Sequence, residues 1–229
     1  MLQMMHTSLQ SQWLIHQLSD SAFPIGGFAH SSGTEAVFQL GLVDSGQSLE
    51  SLLSAQLRQV ARLTLPFVLE ASRSKARLVD LDAIYQAMLS NHVARRASIS
   101  QGQALILATS RSFPCESLKA IYRDVKEQKL QGHLAPLFGA CGACLGLSES
   151  DIACSFAFIF VRGIVSAAVR LGIVGPMEGQ AIQWKLRNEA ADCVHVSFET
   201  YIDQAAQTAP LLDLFQGMQD RLYSRLFQS

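Results

Sequence analysis

The sequence predicts an all-α fold, and three observations carry that prediction. Apolar residues recur at helical spacing along most of the chain, sustained apolar–polar alternation is rare, and no Asn-Gly hairpin dipeptide occurs. No repeat, low-complexity tract or linker divides the 229 residues. We therefore predict one compact multi-helix domain over residues 1–229, with a helical body over 8–208 and an amphipathic C-terminal segment over 209–229.

The N-terminal part predicts helix, shaped loop and helix. Pro24 fixes its own φ and disfavours a helical conformation at the residue before it, while Gly26 and Gly27 permit positive φ or a close backbone approach. Ser32 and Glu35 then have the three-residue offset of a capping box, directly before an apolar run. We expect the loop to hold Phe23, Phe28 and His30 in fixed positions.

Helical stripes and start signals follow through the middle of the chain. After the turn residues 44–46, an apolar face recurs at helical spacing at Leu49, Leu52, Leu53, Leu57, Val60 and Leu63. Pro66 should end or kink that helix. Asp80 is expected to cap a helix that runs through Ile84, Met88 and beyond, and Ser148 with Asp151 to open a long apolar helix.

That apolar stretch, 152–174, is long enough to suggest a membrane span. Arg162 and Arg170 argue against a span, since each would cost about 2.5–3.5 kcal/mol at the bilayer centre. We predict a buried central helix instead. Its polar residues lie within one arc of the helix, which leaves two interpretations open: an internal hydrogen-bond network, or a surface that faces a partner.

Composition limits the classes of function. Hydrophobic residues make up 49% of the chain and charged residues 16%, against about 25% charged in a typical soluble protein. Such a chain has apolar surface to bury, and a partner is one place to bury it. The net charge of −1 predicts no attraction to nucleic acid or to an anionic membrane. Five irregularly spaced cysteines and no signal-like leader predict a cytoplasmic protein without a disulfide framework.

Small residues mark one further helix. Gly139, Gly142 and Gly146 recur at spacings of three and four, so two helix backbones could approach closely there, in the core or across a dimer seam. Together with the apolar composition, this pattern leads us to predict a homodimer. Light scattering that gave the monomer mass of 25.0 kDa would contradict it.

The C-terminal segment has the pattern of an amphipathic helix. Pro210 marks its start, and one face then carries Leu211, Phe215, Met218, Leu222 and Leu226. A terminal segment this apolar docks either on its own domain or in a groove on a partner.

Enzymatic motifs are mostly missing from the sequence. There is no phosphate-binding Gly-x4-Gly-Lys-Ser/Thr loop, and Gly26-Gly27 lacks the third glycine of a dinucleotide site. Cys141 and Cys144 have no second pair for zinc and are interpreted as structural. We therefore expect no catalytic residue, cofactor or metal. The alternative is a small helical enzyme that uses His30 and the Gly26-Gly27 loop as its site.

Several ordered motifs carry a resemblance to a known family. Asp20-Ser-Ala-Phe-Pro-Ile-Gly-Gly-Phe-Ala-His-Ser-Ser-Gly-Thr-Glu35 resembles the N-terminal motif of the urease accessory protein F family, UreF. Further matches follow in the family's order, at Arg96–Gly102, His133–Gly139, Val165–Leu171, Gly175-Pro176, Gln180 and Tyr223–Phe227. One departure is Thr34, where the family more often has Leu, and it weakens the apolar face of the following helix.

The resemblance implies an all-helical, dimeric, non-catalytic adaptor. Such a protein binds the urease accessory protein D (H in some organisms) and the GTPase G, and together they load nickel into apo-urease. The GTPase would supply the phosphate-binding loop that this chain lacks. The implied partner-binding residues are Pro24, Gly26, Gly27, Phe28 and His30 in the loop, with Glu35, Arg170, Tyr223, Arg225, Leu226 and Phe227. The last four would anchor the D-type protein.

Overall fold

The computed structural model describes the backbone of residues 2–229 and the side chains from residue 9 onward. Residue 1, which the predicted domain included, lies outside the described part. Within that part the chain has no strand, and its helices are α1 Leu2–Leu18, α2 Thr34–Gln39, α3 Gly46–Gln59, α4 Leu65–Arg73, α5 Leu78–Met88, α6 His92–Ser112, α7 Glu116–Lys126, α8 Leu134–Cys144, α9 Glu149–Arg170, α10 Pro176–Lys185, α11 Arg187–Phe198 and α12 Pro210–Gly217. The all-α prediction is confirmed.

Helices α4 and α8 pack side by side at the centre of the domain. A Cβ atom at Gly139 would collide with the carbonyl oxygen of Val68 on α4, and one at Gly142 would collide with Ile152 on α9. The small residues of α8 therefore permit close contacts within one chain. Of the two interpretations left open for this face, the core is the one that the structure supports.

Pro66 does not end the helical run from α3 into α4, but the run is irregular just before it. Residues Val60–Thr64 form one π-helical turn, and α4 follows directly, with Pro66 as the second residue of α4. A proline cannot donate to the carbonyl four residues earlier. That carbonyl, of Arg62, instead accepts a hydrogen bond from the backbone N–H of Ala206 at 3.1 Å. The π-helical turn thus binds the segment that connects α11 to α12.

Helix α9 is long and apolar enough to cross a membrane, and it is the one helix of the described chain that meets this test. Of its most apolar window, 56% is buried inside the domain. Arg162 donates to the carbonyl of Ser19, and Arg170 donates to the carbonyl of Phe28. Both arginines on the polar arc of α9 therefore bind backbone of the same chain. Arg162 is partly buried, as an internal network requires, whereas Arg170 is exposed.

The predicted helix starts agree with the structure at α9 but not at α5 or α2. Ser148 caps α9 by accepting the backbone N–H of Asp151, as predicted. Helix α5 begins at Leu78, so Asp80 lies in its first turn instead of capping it. The capping box of Ser32 and Glu35 is wrong, because Ser32 has a φ of +52° and Gly33 is the N-cap of α2.

The C-terminal segment departs from the predicted continuous helix. Helix α12 ends at Gly217, a single 3₁₀ turn covers Met218–Arg221, and residues 222–229 are not helical. Backbone groups of residues 226–229 form hydrogen bonds with other parts of the chain, which a helix through Leu226 would have used internally. The segment docks on its own domain.

Candidate partner-binding surface

The C-terminal segment lies against the loop that joins α1 to α2, which we call the signature loop (residues 20–33). The backbone N–H of Gln228 donates to the carbonyl of Ala29 at 2.8 Å, and the hydroxyl of Ser31 donates to the carbonyl of Ser229 at 3.0 Å. Residues separated by about 200 positions in the sequence thus form one surface.

Glu35 binds the C-terminal segment through its carboxylate. Its side chain is buried, and one carboxylate oxygen accepts the N–H of Leu226 at 2.6 Å. The other oxygen accepts the N–H of Phe227 at 3.1 Å and the side-chain amide of Gln219 at 2.7 Å. A buried carboxylate without such donors would be strongly destabilising, so Glu35 and the segment require each other.

His30 contacts the end of the same segment. Its Nδ1 lies 2.7 Å from the hydroxyl oxygen of Ser229, inside a buried contact. Burial, and to a lesser degree the positive charge of Arg96, lower the pKa of His30 below its ordinary value of 6.5. The imidazole is therefore mainly neutral at pH 7 and bonded to a serine, which are the properties of a structural histidine.

Arg170 contacts Phe227, the buried aromatic residue of the segment. Its guanidinium lies over the ring of Phe227, 4.4 Å from the centroid, and also donates to the carbonyl of Phe28. The ring of Phe227 is buried, whereas that of Phe28 is 72% exposed. A cation over an aromatic face stabilises such a contact by about 0.5–2 kcal/mol, depending on its desolvation.

Arg96 is a contact residue that the sequence prediction missed. Its guanidinium donates to both carboxylate oxygens of Asp220, at 2.8 and 3.1 Å, and Arg225 also reaches that carboxylate. Hydrogen bonds from Arg96, and then from His92, lower the pKa of Asp220 to about 2. The available signal was that Arg96 is the first residue of the family-like stretch Arg96–Gly102. Its partner Asp220 is 124 residues away in the sequence, so the pairing could not be inferred from spacing.

Burial separates most of the predicted site residues into two groups. Glu35, His30 and Phe227 are buried and fix the segment, and the exposed Arg170 covers the ring of Phe227. Phe28, Tyr223 and Leu226 project outward, with Tyr223 fully exposed and Leu226 52% exposed. Arg225 lies between the groups, on the surface but bonded to Asp220.

The exposed part of the C-terminal segment adjoins the end of α2. The side chain of Gln39 donates to the carbonyl of Ser224 at 2.8 Å, which joins the end of α2 to the segment. Leu40 and Leu42 follow directly and are 45% and 54% exposed. We call Leu40, Leu42, Tyr223 and Leu226 the outer apolar patch.

Comparison with known proteins identifies the family. The UreF family model matches residues 43–187. The chain is 39% identical over 223 residues to urease accessory protein F of Arabidopsis thaliana, covering 95% of this chain and 92% of that protein. It is 37% identical over 224 residues to the rice protein of the same name, covering 96% and 85%. A bacterial relative, urease accessory protein UreF of Actinobacillus pleuropneumoniae, is 30% identical over 222 residues, covering 94% and 97%. The chain belongs to the UreF family of urease accessory proteins.

The UreF family model ends short of the surface just described. Its matched range, 43–187, contains neither the signature loop nor the C-terminal segment, whereas the matches to whole relatives cover 94–96% of this chain. The surface is built mainly from the two ends of a UreF chain, and Arg96 of α6 and Arg170 of α9, which lie within the matched range, contact the C-terminal segment. A protein of this family takes part in urease maturation.

A cavity of about 550 Å³ lies behind the signature loop of this UreF-family chain. Loop residues Phe23 to Phe28 form part of its wall, and α3, α6 and α9 contribute side chains such as Gln56, Gln101 and Phe160. Within residues 9–229, no group of three or more His, Cys, Asp or Glu side chains is arranged to hold a metal ion. The lining is mainly apolar, and one of its hydroxyls, that of Ser98, lies 3.1 Å from Nδ1 of His133 and also accepts the backbone N–H of Leu134 at 3.2 Å.

Proposed function

We propose that this UreF-family protein is a non-catalytic adaptor that links the D/H-type accessory protein to the G-type GTPase during nickel insertion into apo-urease. It would act as a cytoplasmic homodimer within that larger complex. One observation carries the proposal. The C-terminal segment is fixed to the domain by backbone hydrogen bonds to Glu35 and by the buried ring of Phe227, and it exposes the apolar side chains of Tyr223 and Leu226. A surface prepared in this way costs little conformational entropy on binding.

The outer apolar patch is the proposed contact for the D/H-type protein. Tyr223 and Leu226 lie within two residues of Ser224, whose carbonyl accepts from Gln39, the residue directly before Leu40, and Arg225 supplies a charge at the edge. Exposed apolar side chains that are rimmed by polar groups are typical of interfaces, and aromatic and arginine residues often dominate their energetics. This assignment adopts the sequence prediction for Tyr223, Arg225 and Leu226, and gives Phe227 an internal role.

The signature loop is the proposed contact for the GTPase. Phe28 is exposed, although its backbone is held by Arg170, and Gly26 has the positive φ of 73° that the turn requires. Pro24 is exposed on the same loop, and Gly27 starts the short helical turn that carries Phe28. Because this loop contacts the C-terminal segment, the two partners would bind neighbouring surfaces.

The homodimer requires a face other than α8, since α8 is in the core. Exposed large apolar residues lie on two adjoining helices: Leu9 and Trp13 on α1, at 61% and 76% exposure, and Phe158 on α9, at 46%. Phe158 is one helical turn before Arg162, which binds the carbonyl of Ser19 just after α1. We propose this α1–α9 face as the dimer seam.

The enzymatic alternative has weaker support. His30 would have to act as a base, yet its Nδ1 is occupied by Ser229 and its pKa is lowered by burial. Among the described residues, none of the carboxylates is bonded to it. The Gly26-Gly27 loop borders a mainly apolar cavity. Ser98 on its wall lies 3.1 Å from Nδ1 of His133, but Nε2 of that imidazole is bonded to the side-chain amide of Gln86 and not to a carboxylate.

Co-purification with the D/H-type protein and the GTPase tests the adaptor function. The double variant Tyr223→Ala/Leu226→Ala should lose capture of the D/H-type protein while its thermal melt stays unchanged. Tyr201→Ala is the matched control, because Tyr201 is 68% exposed and lies outside the patch. Normal capture by the double variant would remove the patch from the interface. Failure of the well-folded wild-type chain to bind either partner would overturn the proposal.

Light scattering tests the dimer seam. Trp13→Ala should shift the mass toward 25.0 kDa at micromolar concentration. Trp184→Ala is the control, since Trp184 is similarly exposed at 67% but lies on α10. A wild-type chain that is already monomeric, or a Trp13 variant that stays dimeric, would contradict this seam.

A further inference from the structure

Three cysteines converge at one end of the helical domain, away from any role in the proposed adaptor surface. Cys115 immediately precedes α7, while Cys141 and Cys144 lie in the last turn of α8. The sulfur of Cys115 lies 3.7 Å from the carbonyl oxygen of Cys144, and the Cys144 thiol interacts with the Cys115 thiol and with Lys75. All five cysteines of the chain are free thiols in the structure.

The three thiols have different surroundings. Cys115 and Cys144 are partly exposed, so a small oxidant can reach both. Cys141 is buried, its sulfur lies 3.7 Å from the hydroxyl of Thr109, and burial raises the pKa of its thiol to about 12. Because the thiolate is the reactive form of cysteine, Cys141 is expected to stay inert.

We propose that Cys115 and Cys144 are an oxidation site, in which the two thiols close a reversible disulfide when a hydroperoxide reaches them. The approach of the Cys115 sulfur to the backbone of Cys144, at 3.7 Å from its carbonyl oxygen, distinguishes this pair from Cys154, which is exposed on α9, and from the buried Cys193. A metal site is the other function that clustered cysteines serve, and residues 9–229 contain no group arranged for one.

The chemistry balances with hydrogen peroxide as the oxidant. The sulfur of Cys115 attacks one peroxide oxygen, the O–O bond breaks, and water leaves after taking up the thiol proton, which gives a sulfenic acid on Cys115. The sulfur of Cys144 then attacks the Cys115 sulfur and the S–O bond breaks, so the hydroxyl leaves as a second water with the Cys144 proton. Two thiols lose two electrons and two protons, and one peroxide is reduced to two waters.

The position of each group suits this order of steps. Cys115 is the partly exposed N-cap residue of α7, and its sulfur is directed at the carbonyl oxygen of Cys144, so a peroxide that reaches it meets the thiol next to its partner residue. Burial raises the pKa of the Cys144 thiol, while the positive charge of Lys75 opposes that effect. Cys144 is therefore the resolving partner, and Lys75 is a positioning residue that stabilises its thiolate as the second step proceeds.

The experiment treats the full chain with dilute hydrogen peroxide, blocks the remaining thiols with an alkylating agent, and maps the peptides by mass spectrometry. We expect a Cys115–Cys144 crosslinked peptide that disappears on reduction with dithiothreitol, whereas Cys141 should remain a reduced thiol that is alkylated only after the chain is unfolded. The crosslink joins helices that are separate in the unfolded chain, so the melting temperature should rise by several degrees.

Two variants make the result specific. Cys115→Ser should abolish the crosslinked peptide and the rise in melting temperature, whereas Cys154→Ser should leave both unchanged. The proposal is overturned if Cys144 pairs with Cys141, or if Cys115 and Cys144 both stay fully alkylated while Cys154 is oxidised. Peroxide-induced unfolding without the crosslink would overturn it as well.

Discussion

The carboxylate of Glu35 accepts the backbone N–H groups of both Leu226 and Phe227, 191 and 192 residues further along the chain. This pair of hydrogen bonds connects the start of α2 to the C-terminal segment. It also explains why a surface assembled from the two ends of the chain has one geometry. The first prediction follows from it.

Glu35→Gln should loosen the C-terminal segment and lower the free energy of unfolding by about 1–3 kcal/mol, because the new amide N–H₂ would face backbone donors without an acceptor. Urea unfolding and limited proteolysis within residues 218–229 provide the measurements. Glu199→Gln is the control, since its side chain is 75% exposed. Wild-type stability in the Glu35 variant would mean that the segment does not depend on this carboxylate.

Stability should fall as the pH drops below about 6.5, and His30 and His133 should be two causes. Burial lowers the pKa of both imidazoles from the ordinary 6.5, so the folded chain favours their neutral forms. Between the lowered values and 6.5 the unfolded chain binds more protons, which stabilises it as the pH decreases. Above 6.5 this contribution is fully present.

The free energy of unfolding at pH 5.5 and 7.5 measures this effect. His30→Asn should reduce the difference between the two pH values, whereas His195→Asn, whose side chain is 79% exposed, should not. An identical difference in the wild type and in the His30 variant would show that His30 is protonated equally in the folded and unfolded states.

Gly139→Ala should destabilise the domain by about 1–3 kcal/mol or more, because the added methyl group would displace α4 from α8 at the carbonyl of Val68. Gly163→Ala provides a matched comparison within a helix. A Cβ atom there meets nothing within 4 Å, so this change should stabilise α9 by about 0.5–1 kcal/mol. Thermal melts of the two variants should therefore shift in opposite directions.

Thr34→Val should stabilise the chain by about 1 kcal/mol. Thr34 is fully buried, and its hydroxyl oxygen has no hydrogen-bond partner within the described part of the chain. Valine keeps the shape of the side chain and removes a buried polar group that is not satisfied. A lower melting temperature for this variant would reveal a partner for the hydroxyl, such as an ordered water.

Arg96→Ala should increase hydrogen exchange in residues 218–229 while the core helices stay protected. The ion pair with Asp220 is largely exposed, so its loss should change global stability by less than about 1 kcal/mol. Arg58→Ala is the control, because it breaks an exposed ion pair with Glu189 elsewhere on the surface. Unchanged exchange in the segment would show that Glu35 and Phe227 suffice to hold it.

The sequence by itself determined the all-α class, the capped start of α9 and most of the helical faces. These features depend on contacts between residues that are near in sequence, such as the hydroxyl of Ser148 and the N–H of Asp151.

Tertiary structure decided the outcome where two local alternatives compete. Glu35 has the spacing of a capping box, yet binding two backbone N–H groups from residues 226–227 satisfies its buried carboxylate. The periodic pattern through Leu226 predicted a longer helix, but docking on the signature loop uses those backbone groups instead. The glycines of α8 fit a core or a seam equally well, and the position of Val68 on a neighbouring helix placed them in the core. Periodicity reports which residues prefer burial, whereas the surface that buries them depends on parts of the chain that meet only after folding.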